Sequence, residues 1–192
     1  MNADLILASA SPRRLNLLSQ IGINPSKVVA ASINEMPIIG EKPAELVKRL
    51  AISKSLTVAK KYPKFWILGA DTTVACGRRI LGKPSNEKEA RLFLKLLSGR
   101  RHRVYGGICL ISPDGQKRTR LVSTAVVFKR LDRDEIDTYI ELGEWKGMAG
   151  AYAIQGAAAA LVPKIIGSYS NVVGLALAET ASLIRGSGFR SD

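Results

Sequence analysis

The stretch Leu5-Ile6-Leu7-Ala8-Ser9-Ala10-Ser11-Pro12-Arg13-Arg14 decides how the rest of the chain is read. Its apolar head is far too short to cross a membrane and reads as a buried strand. Ser11-Pro12 follows at once as a helix start, with Ser as N-cap and Pro at the first helical position, where a missing N–H is tolerated; the helix runs to Gly22. A strand that empties through a short loop into a helix is the opening of an α/β layer fold. Between Ser9 and Arg14 the loop gathers two hydroxyls, helix-terminal amides without intrahelical partners and two guanidinium groups. Such a place attracts phosphate, although a Ser-Pro pair by itself is more often a plain helix start.

Moving outward, Val28 to Ala31 reads as a second strand, followed by a loop that carries Glu35. A helix from about Pro43 to Lys61 comes next, with Leu46, Val47, Leu50 and Leu56 at roughly helical spacing and Lys54 among its polar positions. Phe65-Trp66-Ile67-Leu68-Gly69-Ala70 is an unbroken apolar run ending in Asp71, as expected of a strand covered on both faces with its carboxyl end at a site. Thr73 to Leu81 reads as a hairpin around Gly77-Arg78, and Asn86 with Glu89 as a capping box for a helix ending at Ser98-Gly99. Arg103 to Ser112 and Thr119 to Lys129 form a second hairpin through Pro113-Asp114-Gly115. Asp132 and Glu135 cap a helix that stops at Gly143, and a Gly/Ala-rich segment, a strand through Ile166 and a last helix from about Leu175 to Ile184 complete the chain. Strands alternating with helices, with hairpins among them, predict a single α/β domain over residues 1–192 with a mixed central sheet flanked by helices.

Lys and Arg outnumber Asp and Glu by 29 to 16, a net charge of +13 that points to an anionic partner: nucleotide, nucleic acid or membrane surface. The basic residues are spread along the chain, and only Ser98-Gly99-Arg100-Arg101-His102-Arg103 concentrates them, at a turn placed to steer phosphates. Cys76 and Cys109 lie apart without CxxC spacing, which argues against disulfides and zinc and for a reducing compartment. The polar start Met1-Asn2-Ala3-Asp4 carries no signal-peptide pattern, so a cytoplasmic location without membrane contact is expected. His102 is the sole histidine, which removes a Ser-His-acid triad, and no GxxxxGK[ST] loop is present. Phosphate chemistry must therefore use carboxylates, basic groups and a metal.

Asp71, followed by Thr72 and Thr73, is the carboxylate best placed for such work, and Lys83 in Leu81-Gly82-Lys83-Pro84 follows close behind, flanked by residues that restrict its backbone. Each alone is ordinary: an Asp closing a strand is as often a turn former, and a lysine in a turn is usually solvated. Ala149-Gly150-Ala151-Tyr152-Ala153-Ile154-Gln155-Gly156 is a small-residue stretch that a flat ligand can approach closely, and Gln155 offers the donor and acceptor that a uracil or thymine edge needs.

Together with Leu7 to Arg14, the blocks Gly69-Ala70-Asp71-Thr72, Leu81-Gly82-Lys83-Pro84, Ala149 to Gly156 and Asn171-Val172-Val173-Gly174-Leu175 closely resemble the Maf family, in order and over nearly the whole chain. The resemblance implies a two-lobed, Maf/ITPase-like α/β fold around a substrate cleft, a homodimer, and hydrolysis of nucleoside triphosphates to monophosphate and pyrophosphate. Arg13, Thr72 and Gln155 look like the specificity residues of the subgroup acting on dTTP and UTP, with modified pyrimidine nucleotides and a link to cell-division arrest left open. By the same matching Asp71 is the catalytic acid-base residue, Ser9, Arg14, Lys54 and Lys83 hold phosphate, and Glu35 with Asp71 holds metal. Oxygen ligands favour Mg2+ or Mn2+ over zinc. Two positions depart from the family pattern: Asn34 stands where an acidic residue commonly precedes Glu35, and Ala176 where a proline is usual. The rival is a non-catalytic nucleic-acid-binding or septum regulatory protein; no recognition helix or basic face interleaved with aromatics supports a specific nucleic-acid partner.

Overall fold

A computed structural model describes residues 4–189; the polar start at Met1 to Ala3 lies outside the described residues. One mixed sheet runs in the order β2-β1-β3-β5-β6-β7, with β4 attached to β3. The strands are β1 (Leu5–Leu7), β2 (Lys27–Val28), β3 (Trp66–Cys76), β4 (Arg79–Leu81), β5 (Arg101–Ile111), β6 (Lys117–Val127) and β7 (Lys164–Ile166). The helices are α1 (Pro12–Gln20), α2 (Pro43–Ala59), α3 (Glu87–Leu97), α4 (Arg133–Glu141), α5 (Tyr169–Val173) and α6 (Leu177–Arg185). Pairings of β1 with β2 and β3 are parallel and the rest antiparallel, as the alternation of helices and hairpins predicts. Among the described residues no helix is long and apolar enough to cross a membrane, and both cysteines are free thiols.

The site is created by an interruption along one edge of β3. β5 pairs with nearly the full length of β3, from Ile67↔Ile111 to Ala75↔Arg103. On the other edge β1 reaches only Leu7↔Leu68, and β4 begins at Val74↔Leu81, so Gly69 to Thr73 have no strand beside them there. This corrects the expected position of Asp71. The strand does not end at Asp71, because Thr72, Thr73 and Val74 are β-branched, suited to extended backbone, and are paired by β5. What ends at the level of Asp71 is the neighbouring strand, and the opening faces the carboxyl end of β1, where sheets of this kind keep their ligands.

Alternation along β3 sends Gly69 and Asp71 to one face and Ala70, Thr72 and Val74 to the other. The second face carries the larger core, with Leu17 and Leu18 of α1, Leu94 of α3, Ile140 of α4 and Leu183 of α6. The first is covered by α2, whose Ala51 and Val58 join Ile6, Ile67, Cys109 and Ile111. Two glycines set that helix unusually close. A Cβ at Gly69 would lie 2.7 Å from the Ala51 carbonyl oxygen, and one at Gly107 would lie 2.6 Å from the Val47 carbonyl carbon.

Several elements differ in detail from the sequence reading. The second strand shortens to Lys27–Val28, both exposed at the sheet edge, and Leu56 on α2 is exposed although its spacing suggested core. Asn86 caps α3 through its side chain, but the Glu89 carboxylate turns to Ser85 and not to Asn86, so the capping box closes one residue early. The last helix forms as α6, and the short α5 before it, ended by Gly174 at φ 148°, is an element the sequence reading did not anticipate.

Candidate active site

A cleft of about 760 Å3 opens at the gap beside β3 and is lined by all nine residues singled out in the sequence: Ser9, Arg13, Arg14, Glu35, Lys54, Asp71, Thr72, Lys83 and Gln155. They come from widely separated segments, and each arrives for a local reason. Lys54 is on the α2 face that presses on β3; because Ser55 lies against Gly69, the Lys54 side chain meets Asp71 two residues further along the strand. Lys54 Nζ donates to Asp71 Oδ1 at 2.7 Å and pairs with Glu35 Oε1 at the same distance. Lys54 and Asp71 are buried, whereas half of the Glu35 side chain is exposed. Burial by itself would raise the Glu35 pKa, but the Lys54 hydrogen bond and charge, helped by Lys83 and Arg14, bring it below the usual carboxylate value. Glu35 therefore stays ionised at neutral pH and is half-exposed in the cleft lining.

On the opposite face of β3 a second constellation is built around Arg14, which is 9% exposed. Its Nη1 donates to Ser9 Oγ at 2.9 Å, its Nη2 to Thr72 Oγ1 at 3.2 Å and its Nε to the Gly174 carbonyl at 2.9 Å. Thr72 Oγ1 in turn donates to the same Gly174 carbonyl at 3.0 Å. One guanidinium thus joins the loop after β1, β3 and the end of α5. With three of its five N–H groups engaged, two remain to meet an anion. Burial pulls the Arg14 pKa down from its normal value, and the nearby Asp71 charge opposes that fall. Ser11 occupies the N-cap position of α1 but makes no side-chain cap; Pro12 has no N–H and the Arg14 amide donates to the Ser11 carbonyl at 3.2 Å, so among the described residues the Arg13 amide is the one left without a partner at this helix start.

The remaining residues are less tethered. Lys83 and Gln155 are exposed, Arg13 is half-buried, and among the described residues no hydrogen bond or ion pair holds their side chains. Gln155 sits on a loop of two 3-10 turns, Ala149–Ala151 and Ala157–Leu161. Gly150 (φ 72°) and Ala151 (φ 62°) are both left-handed there, and the Gly150 amide donates to the Gly82 carbonyl at 3.0 Å, which ties this loop to the Lys83 turn.

A family model described as Maf-like protein matches residues 4–187. The chain belongs to the Maf family. Over 187 residues this Maf chain is 58% identical to a protein of Paramagnetospirillum magneticum named dTTP/UTP pyrophosphatase, covering 97% of the chain and 98% of that relative. A protein of the same name from Mesorhizobium japonicum is 52% identical over 192 residues, covering 97% and 92%. Among solved structures, a HAM1 protein from Coxiella burnetii overlaps 68% of this chain and 75% of its own with a TM-score of 0.47 and 16% identity, too loosely to add to the topology.

One expectation for the Maf chain requires correction. The basic cluster around His102 does not line the cleft. It forms the start of β5, where alternation turns Arg101 and Arg103 outward and His102 inward. His102 is 1% exposed, its Nε2 lies 2.8 Å from Tyr152 Oη, and burial lowers its pKa to about 4. Asn34, by contrast, explains itself as backbone: its Oδ1 accepts from the Met36 amide at 2.9 Å, shaping the exposed loop after Glu35. Ala176 is the N-cap of α6, with φ −73° that a proline would also satisfy. Sequence reading missed Tyr139 and Glu144, whose side chains bind the backbone of the Gln155 loop; no motif surrounds them, and only the packing of α4 on that loop reveals them.

Proposed function

We propose that this Maf protein is a nucleoside triphosphate pyrophosphatase that hydrolyses dTTP and UTP to the monophosphate and pyrophosphate. The observation that carries the reading is the meeting, in one cleft, of a carboxylate pair bridged by Lys54 with the Arg14 and Ser9 constellation and the free ends of Lys83, Arg13 and Gln155. The names of its relatives supply the pyrimidine triphosphates.

Cleavage between the α and β phosphates needs a water in line with the departing pyrophosphate, and charge neutralisation on both sides of the breaking bond. Asp71, held by Lys54, accepts the water proton. Lys83, at the exposed rim, meets the phosphate charge, while the two remaining Arg14 N–H groups and the Arg13 amide at the start of α1 bind from the other face. Glu35 and Asp71 fit a cation shared with the substrate: both carboxylates reach one point, now held by the Lys54 ammonium, and among the described residues no cluster of three or more His, Cys, Asp or Glu forms a closed cage. Mg2+ is typically bound in this manner, by one or two carboxylates plus phosphate oxygens, and Mn2+ accepts the same donors. When bound, such a cation acidifies water and neutralises phosphate charge.

A pyrimidine edge then meets Gln155, with Arg13 and Thr72 in the lining of the same cleft. A single domain and a cytoplasmic location belong to the same reading and rest on the element pattern and the cysteine usage, and the homodimer rests on the family resemblance; the two free thiols agree with a reducing compartment. The test is a pyrophosphate-release screen over ordinary and modified triphosphates, with and without Mg2+ or Mn2+. UTP and dTTP should turn over fastest and only with metal; equal rates for purine triphosphates, or tight salt-sensitive binding of nucleic acid without turnover, would overturn it.

A further inference from the structure

Gln155 presents a difficulty for selection among pyrimidines. Uracil and thymine show an acceptor beside an N–H donor, cytosine shows the reverse, and a primary amide matches either one by rotating half a turn. The Gln155 side chain is exposed and has no hydrogen bond among the described residues to stop that rotation. Selectivity must then come from where its backbone is held and how closely the base can approach.

That backbone is held on both sides by two side chains outside the cleft lining. The Ala153 amide donates to Tyr139 Oη of α4 at 3.0 Å, and the Ala157 amide donates to Glu144 Oε2, just beyond α4, at 2.8 Å. Gly156 is required by the second contact, because a Cβ there would overlap the Glu144 carboxylate. Tyr139 is 3% exposed, so its hydroxyl is a fixed point of the core. Upstream, Ala151 keeps a left-handed φ of 62°, a conformation unfavourable for a residue with a Cβ that persists only where the surroundings over-determine it.

We infer that Tyr139 and Glu144 are positioning residues for base selection, clamping Ala153 and Ala157 so that Gln155 is presented to the base edge from one fixed backbone position. This rests on the proposed pyrimidine triphosphate site and deepens it. Loss of either clamp frees the loop, and binding of the favoured base weakens while that of cytosine does not.

The experiment titrates α,β-methylene UTP and CTP against the wild-type chain, Glu144→Ala, Glu144→Gln, Tyr139→Phe and Gln155→Ala, and measures kcat and KM for UTP, dTTP and CTP alongside. Glu144→Ala, Tyr139→Phe and Gln155→Ala should each weaken UTP binding and raise its KM about tenfold, with kcat within about twofold and CTP unaffected. Glu144→Gln, which still offers an acceptor oxygen, should restore the wild-type preference. An unchanged UTP-to-CTP ratio in both clamp variants, including a uniform fall in kcat for every base, overturns the inference. If Glu144→Ala does not fold, the ratio in Tyr139→Phe, which lacks one oxygen atom, decides. A wild-type chain that discriminates the two analogues but releases no pyrophosphate would instead sink the pyrophosphatase reading and leave the clamp standing.

Discussion

Lys54 and His102 illustrate opposite fates of a charge-bearing residue on an element that carries other basic residues. Lys54 lies on a helix that also carries Lys48 and Arg49 and is buried against two carboxylates; His102 lies between arginines and is buried against Phe128 and Tyr152 without any charge. Neither environment is legible locally, because each depends on which way one side chain faces in the assembled sheet. For His102 the consequence is measurable. Burial lowers its pKa from 6.5 to about 4, so between those values the unfolded chain takes up a proton that the folded chain refuses. Stability is full above the unfolded value and falls as pH drops through this window, by about 2 kcal/mol between pH 7 and pH 5. Glu35 adds to the acid sensitivity at lower pH, since a depressed carboxyl pKa stabilises only above it. Urea unfolding at pH 7 and pH 5 checks the first effect: His102→Gln should flatten the difference, and an equal slope in the variant would contradict it.

At the scale of elements, the strand-loop-helix opening, both hairpins and the α4 capping box were readable, because each is specified by residues adjacent in sequence. The role of Gly69 and Gly107 was not. Their absent side chains matter only because α2 crosses them, and that crossing places Lys54 beside Asp71. Gly107→Ala should therefore push the backbone of α2 from the sheet, with a loss of about 3 kcal/mol in urea unfolding and a fall in turnover even where folding persists. A stability within about 0.5 kcal/mol of the wild type would show that the helix yields without cost. In the opposite direction, Ala176→Pro should raise stability by about 0.4–1 kcal/mol, since φ is already compatible and the unfolded chain loses freedom. Thermal unfolding reads this; a lowered midpoint would mean that the ring is refused by the buried surroundings of Ala176, which is 1% exposed.

Across the whole molecule, nine residues from separate blocks meet in one cleft because β1 stops short and β4 starts late along the same edge of β3. The blocks were legible as motifs, and their order identified the family resemblance, but the gap that unites them is a property of pairing between distant strands. The same assembly turns the scattered net charge of +13 into a local arrangement, with Arg14 and Lys54 buried on opposite faces of β3 and Lys83 at the rim. On the proposed function, this cleft breaks the bond between the α and β phosphates with Asp71 as base. 31P NMR of UTP incubated with Mg2+ and either the wild-type chain or Asp71→Asn tests it most directly. The wild type should yield UMP and pyrophosphate in equal amounts, and Asp71→Asn should bind UTP yet turn over about a thousandfold more slowly; UDP with orthophosphate from the wild type, or undiminished turnover in the variant, would contradict the claim.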